Sequence, residues 1–159
     1  MGSFDDGRWT LELTLAARMS LAALLGFLIG LERESRGKSA GERTFAIVAL
    51  GAAAFAGIAI TMFPDTAGQA VAGVATGIGF LGVGIIWRAG EGQTRGLTTA
   101  ASILCVASIG VVTGIGLYLT AILGTVLALF ILEFDRMPGL RGLHRRVTGR
   151  ADEDDDGPG

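Results

Sequence analysis

Gly96–Leu132, GLTTAASILCVASIGVVTGIGLYLTAILGTVLALFIL, runs for 37 residues without one charged side chain. A helix crosses the hydrocarbon of a bilayer in about 20 residues at ~1.5 Å each. The stretch is too long for one crossing and suits two, with Gly114-Ile115-Gly116 as the natural turn between them. Upstream, Thr44–Trp87 carries a single charge, Asp65, and Leu11–Leu31 carries only Glu12 and Arg18. None of these segments has the polar face that a soluble amphipathic helix keeps. Hydrophobic residues make up 50% of the chain and the mean hydropathy is +0.56. The reading is an all-α, polytopic transmembrane helix bundle.

Five antiparallel spans are expected, near 11–31, 44–63, 69–87, 96–113 and 115–132, joined by short loops. Basic residues are retained on the cytoplasmic side of a membrane. Eleven of the 13 here lie in the 32–43 loop, the 88–95 loop and the C-terminal tail. Only five spans put all three on one face, which places the N-terminus outside and the C-terminus inside. Asp5 and Asp6 precede the first span, Glu12 lies at its start and a basic cluster follows it, the reverse of a secretory signal peptide, so the N-terminus is expected to stay attached. The expected organisation is an extracytoplasmic tail over 1–10, a membrane domain over 11–135, and a cytoplasmic tail over 136–159. That tail is arginine-rich, then acidic, and lacks the apolar content of a folded segment.

Lipid gives helices no hydrophobic reason to associate, so small residues or polar contacts must hold the spans together. Ala22, Gly26 and Gly30 line one stripe of the first span, and Gly116, Thr120, Gly124 and Ala128 one stripe of the fifth. Gly73 and Gly77 do so on the third. Gly77, Gly79, Gly82 and Gly84 surround their helix, so the segment is either closely crossed by neighbours or opened at its backbone. Arg18 lies about 10 Å into the first span and on its small-residue stripe. Either it snorkels outward or it is buried, and then it needs a partner. Glu12 and Asp65 are the carboxylates on its side.

The charged residues outside the spans gather at one end. Glu32, Arg33, Glu34, Glu42, Arg43 and Arg95 flank helix ends on the basic face. Thr98 and Thr99 open the fourth span, where their hydroxyls can meet unpaired backbone amides. These eight residues are the candidate functional site, expected to join two loops through a Glu32–Arg95 contact.

Four stretches resemble the MgtC/SapB family of membrane proteins: RMSLAALLGFLIGLERE (Arg18–Glu34), AGERTFAIVALGAA (Ala40–Ala53), GIGFLGVGII (Gly77–Ile86) and RGLTTAAS (Arg95–Ser102). They cover Arg18 to about Gly114 in the family's order. Val83 stands where members commonly have alanine, and an aromatic near Leu104 is missing. The resemblance implies an inner-membrane protein of about five helices linked to growth under magnesium limitation, which in some members modulates membrane ATPases. Longer members continue into a soluble cytoplasmic domain, whose activity does not carry over to the tail found here.

An enzyme is not expected. The single Cys105 lies in a span, the single His144 lies in the tail, and no phosphate loop or ligand-spaced cluster accompanies them. No cofactor, metal site or nucleic-acid partner is expected. A small transporter or channel for Mg2+ or another solute is the alternative, but Mg2+ favours oxygen ligands along its path, and no carboxylate lies mid-membrane. A regulator or interaction module fits better. Its partners would be the lipid bilayer, another membrane protein such as an ATPase or transporter, and further copies of itself.

Overall fold

The computed structural model of the chain describes residues 3–88 and 95–133. Five helices follow one another: α1 (Ser3–Ser35), α2 (Glu42–Met62), α3 (Ala67–Arg88), α4 (Arg95–Gly114) and α5 (Tyr118–Glu133), with a 3-10 turn at Pro64–Thr66 between α2 and α3. The protein is an all-α membrane helix bundle. Helices α1 to α4 are each long and apolar enough to cross a bilayer. The fifth expected span differs. Ile115–Leu117 belong to the turn, so α5 starts three residues later than expected, and its described part is Tyr118–Glu133. The expected tail over 136–159 lies outside the described residues. The chain divides into units 1–128 and 129–159, and the described part of the second is the end of α5.

Local sequence explains the helix ends. α1 closes on Gly37 at φ +62°, the left-handed conformation that glycine adopts without a steric penalty. There the Gly37 and Lys38 amides donate to the Glu34 and Arg33 carbonyls at 2.9 and 3.1 Å, satisfying groups the helix would otherwise leave unpaired. α4 ends the same way. Gly116 sits at φ +95°, and the Gly116 and Leu117 amides donate to the Thr113 and Val112 carbonyls at 3.0 and 2.8 Å. Gly116 is therefore a turn residue and not part of a packing stripe on α5. α2 stops at Phe63 because Pro64 disfavours helical geometry in the residue before it.

The centre of the bundle is α1, α2 and α4, which bury Ile29, Phe45, Ile103 and Val106 almost completely. Glycines let these backbones touch. A β-carbon at Gly26 would lie 2.6 Å from the Phe45 carbonyl oxygen, and one at Gly30 would overlap the Glu42 backbone. Gly110 and Gly114 press on Ala49 and Ala53 in the same way, and Gly57 lies against Leu15 and Gly114. Gly124 makes ordinary contact with Ile109, its β-carbon position 3.6 Å away.

On α3 the expectation fails. Gly73, Gly77, Gly79 and Gly84 have no described atom within 4 Å of a β-carbon position, and Gly82 meets only Ala100, at 3.5 Å. Gly73, Gly77, Gly79 and Gly84 are exposed and Gly82 is buried against α4, because α3 packs along one side of α4 and touches α2 less. The helix is continuous from Ala67 to Arg88, so its backbone does not open.

Candidate functional site

The α1–α2 hairpin carries most of the candidate residues. Gly30 brings the start of α2 against α1, and Gly41 leaves room for the Glu34 side chain, which lies where a β-carbon would otherwise stand. Glu34 is thereby brought beside Glu42. The Glu42 carboxyl beside it pushes the Glu34 carboxyl above the usual carboxylate range, while that of Glu42 is held below it. The second Glu42 oxygen, Oε2, is buried without a hydrogen-bond partner among the described residues.

Arg33 occupies the centre of this end. It is only 3% exposed, and its Nη2 donates to the Thr99 hydroxyl of α4 at 3.3 Å. Its Nε has no partner among the described residues. Thr99 is itself buried, so the bond joins the end of α1 to the first turn of α4 inside the protein. The expected capping role for Thr99 gives way to this one. Thr98 is exposed, and its carbonyl accepts from the Ser102 hydroxyl at 2.6 Å.

The expected Glu32–Arg95 contact lies outside the described residues, and Glu32 has a partner on its own segment. It pairs with Arg36, one turn further along the same segment, and both side chains are largely covered. Helical spacing of four residues makes that pair the shorter reach. The Arg95 side chain lies outside the described residues. Arg43 is exposed at the start of α2. The site thus assembles Glu32, Arg33, Glu34, Arg36, Glu42 and Thr99, with Arg43 and Thr98 at its margin.

Arg18 lies midway along α1, beside the C-terminus of α4. Its Nη1 donates to the Gly114 carbonyl at 2.9 Å and its Nε to the Tyr118 hydroxyl at 3.1 Å. The partner is therefore neither Glu12, which lies 3.9 Å from Arg8, nor Asp65. A guanidinium at the C-terminus of α4 meets both an unpaired carbonyl and the negative end of the helix dipole. Sequence reasoning missed Tyr118 and the Gly110–Gly114 pair. The signals were a hydroxyl-bearing aromatic just after the turn, and two glycines four residues apart.

Residues 19–137 match the MgtC family. The chain belongs to the MgtC family. Protein MgtC of Salmonella typhimurium strain LT2 is 48% identical over 108 residues, covering 68% of this chain and 46% of its own length. Protein MgtC of Brucella abortus strain 2308 is 46% identical over 112 residues, or 70% of this chain and 47% of that one. Protein SrpB of Synechococcus elongatus is 38% identical over 155 residues, covering 88% of this chain and 84% of its own. The chain spans about half the length of the MgtC relatives it matches. No solved structure matches. The family match takes in every residue of the Arg33 site and begins one residue after Arg18.

Proposed function

We propose that this chain is a non-enzymatic regulator of the inner membrane, linked to magnesium limitation and ion homeostasis. It acts by binding another membrane protein, of the ATPase or transporter kind, at the end built around Arg33. The observation that carries this reading is the division of labour in the bundle. α1, α2 and α4 meet backbone to backbone through Gly26, Gly30, Gly110 and Gly114, a packing without room for a hydrated ion. The described carboxylates of the site, Glu32, Glu34 and Glu42, lie at the end of the bundle, engaged with Arg36 or with each other. A Mg2+ path needs oxygen ligands along its length, whereas a docking surface needs a fixed constellation at one end.

The test is reconstitution of the full chain into liposomes, with Mg2+ flux compared against empty vesicles. The expected result is equal flux, together with support of growth in low Mg2+ by wild type and its loss in Arg33→Ala. A protein-dependent flux would overturn the regulator and establish the transporter. The topology that belongs to this reading, five spans with the N-terminus outside, predicts that reporters fused at Asp65 and after Gly159 report opposite sides. Reports from the same side would contradict it.

A further inference from the structure

α4 meets a guanidinium near each of its ends, and only one of the two suits the helix. Arg18 reaches the Gly114 carbonyl at the C-terminus, where the negative end of the helix dipole favours a cation. Arg33 reaches the Thr99 hydroxyl, one turn from the N-terminus. The positive end of the dipole favours an anion there. We propose that the first turn of α4, with Arg33 and Thr99, binds the phosphate group of a soluble ligand or a lipid headgroup. The site lies at the end that the regulatory reading uses, but it needs no partner protein and is tested by binding alone.

Donors without acceptors gather at this turn. Arg33 is 3% exposed, and its Nε has no partner among the described residues. Thr99 is 1% exposed. The other buried hydroxyls, those of Ser102, Thr113 and Thr125, each donate to the carbonyl four residues back. Thr99 accepts from Arg33 and donates to no described residue. A hydroxyl has one hydrogen to give and a guanidinium can only give, so both groups are left with a donor to place. Such groups are costly when buried, and most of all when charged. Glu32, the carboxylate that acts on the Arg33 charge, is itself engaged by Arg36.

The turn itself supplies the rest. Gly96 is buried three residues before Thr99, on the face that meets Arg33. A glycine there puts no side chain between the backbone and a ligand. The Gly96 and Leu97 amides belong to the first-turn groups that a helix leaves unpaired, and no acidic residue stands in that turn to meet them. Leu97 and Thr98 are exposed, so the turn is open on their side. Amides, a hydroxyl and a guanidinium all donate, which excludes a cation as the occupant. A phosphate group carries several acceptor oxygens in a tetrahedral array, one for each kind of donor, and its charge suits both the helix end and Arg33. A halide ion would match the charge without the array.

The experiment follows the melting temperature of the full chain, purified in maltoside without phosphate or sulfate. Sodium phosphate is titrated in at constant ionic strength, with sodium chloride as the reference. A second arm places the chain in phosphatidylcholine nanodiscs with and without phosphatidate, and no free phosphate. A saturable rise of several degrees is expected. A rise with free phosphate identifies a soluble ligand, a rise with phosphatidate alone identifies a headgroup, and either supports the site. Arg33→Gln and Thr99→Val should each weaken the response at least tenfold, and Thr99→Ser should keep it. Thr99→Val preserves shape and carries the test if Arg33→Gln does not fold. Lys38→Gln, which removes an exposed cation from the neighbouring loop, should change the response less than twofold. No saturable response in either arm, or an equal response in Thr99→Val, would overturn the proposal. So would a response that appears only after Glu91→Gln, because a carboxylate of the chain itself would then hold the site.

Discussion

Arg18 and Arg33 stand fifteen residues apart on α1, about 22 Å by helical rise, and solve the burial of a guanidinium in different ways. Arg18 is held by a backbone carbonyl and a phenol at the closed turn after α4. That turn needs a donor to finish its helix, and Arg18 supplies it. Arg33 is more deeply buried and has a single described acceptor, Thr99, while carboxylates crowd the chain on either side of it. The Arg18 end is completed by its own backbone. The Arg33 end keeps polar atoms, Arg33 Nε and Glu42 Oε2, without partners among the described residues. Unsatisfied buried polar groups are costly, and their persistence at one end locates where the family's work is proposed to be done.

Removing Arg33 should have the larger effect. Arg33→Ala leaves the buried Thr99 hydroxyl without its donor and a void where the arginine stem packed, and cutting a buried side chain of that size to alanine costs about 2–5 kcal/mol. A fall in detergent-solubilised melting temperature much smaller than that of Arg18→Leu would break the comparison. Arg18→Leu removes charge-assisted hydrogen bonds worth about 1.5–3 kcal/mol and should lower abundance and melting temperature. Neutralising Glu12 or Asp65 alongside it should recover none of the loss, because neither is its partner. Thr99→Val keeps shape while removing the acceptor, for about 1–3 kcal/mol, and its effect should vanish in an Arg33→Ala background. Additivity of those two changes would mean that the bond is not formed. Tyr118→Phe deletes one exposed hydrogen bond and should cost about 0.5–1 kcal/mol, with no effect on growth.

The bundle was legible because uncharged runs of membrane length leave few alternatives, and because basic loops bracket them. The depth of Arg18 was legible for the same reason. Its partner was not, since the Gly114 carbonyl has no letter of its own and becomes available only where α4 stops. Gly73 and Gly77 share the four-residue spacing of Gly110 and Gly114, yet only the second pair meets a helix. Spacing places small residues on a face without saying what lies opposite. Arg33 sits in a charged flank that reads as solvated. Its burial comes from Thr99, 66 residues away, and from the closure of the hairpin over Ala40, both beyond local pattern.

The central claim is that Arg18 is a cap on the end of α4 and that the Arg33 end of α1 is a working site. It is tested most directly by growth in low Mg2+ for Arg18→Leu and Arg33→Ala cells, each normalised to the amount of protein in the membrane. Arg18→Leu should support growth in proportion to its reduced abundance, and Arg33→Ala should lose at least tenfold per molecule. Equal losses per molecule, or an Arg33→Ala protein as active per molecule as wild type, would contradict the account.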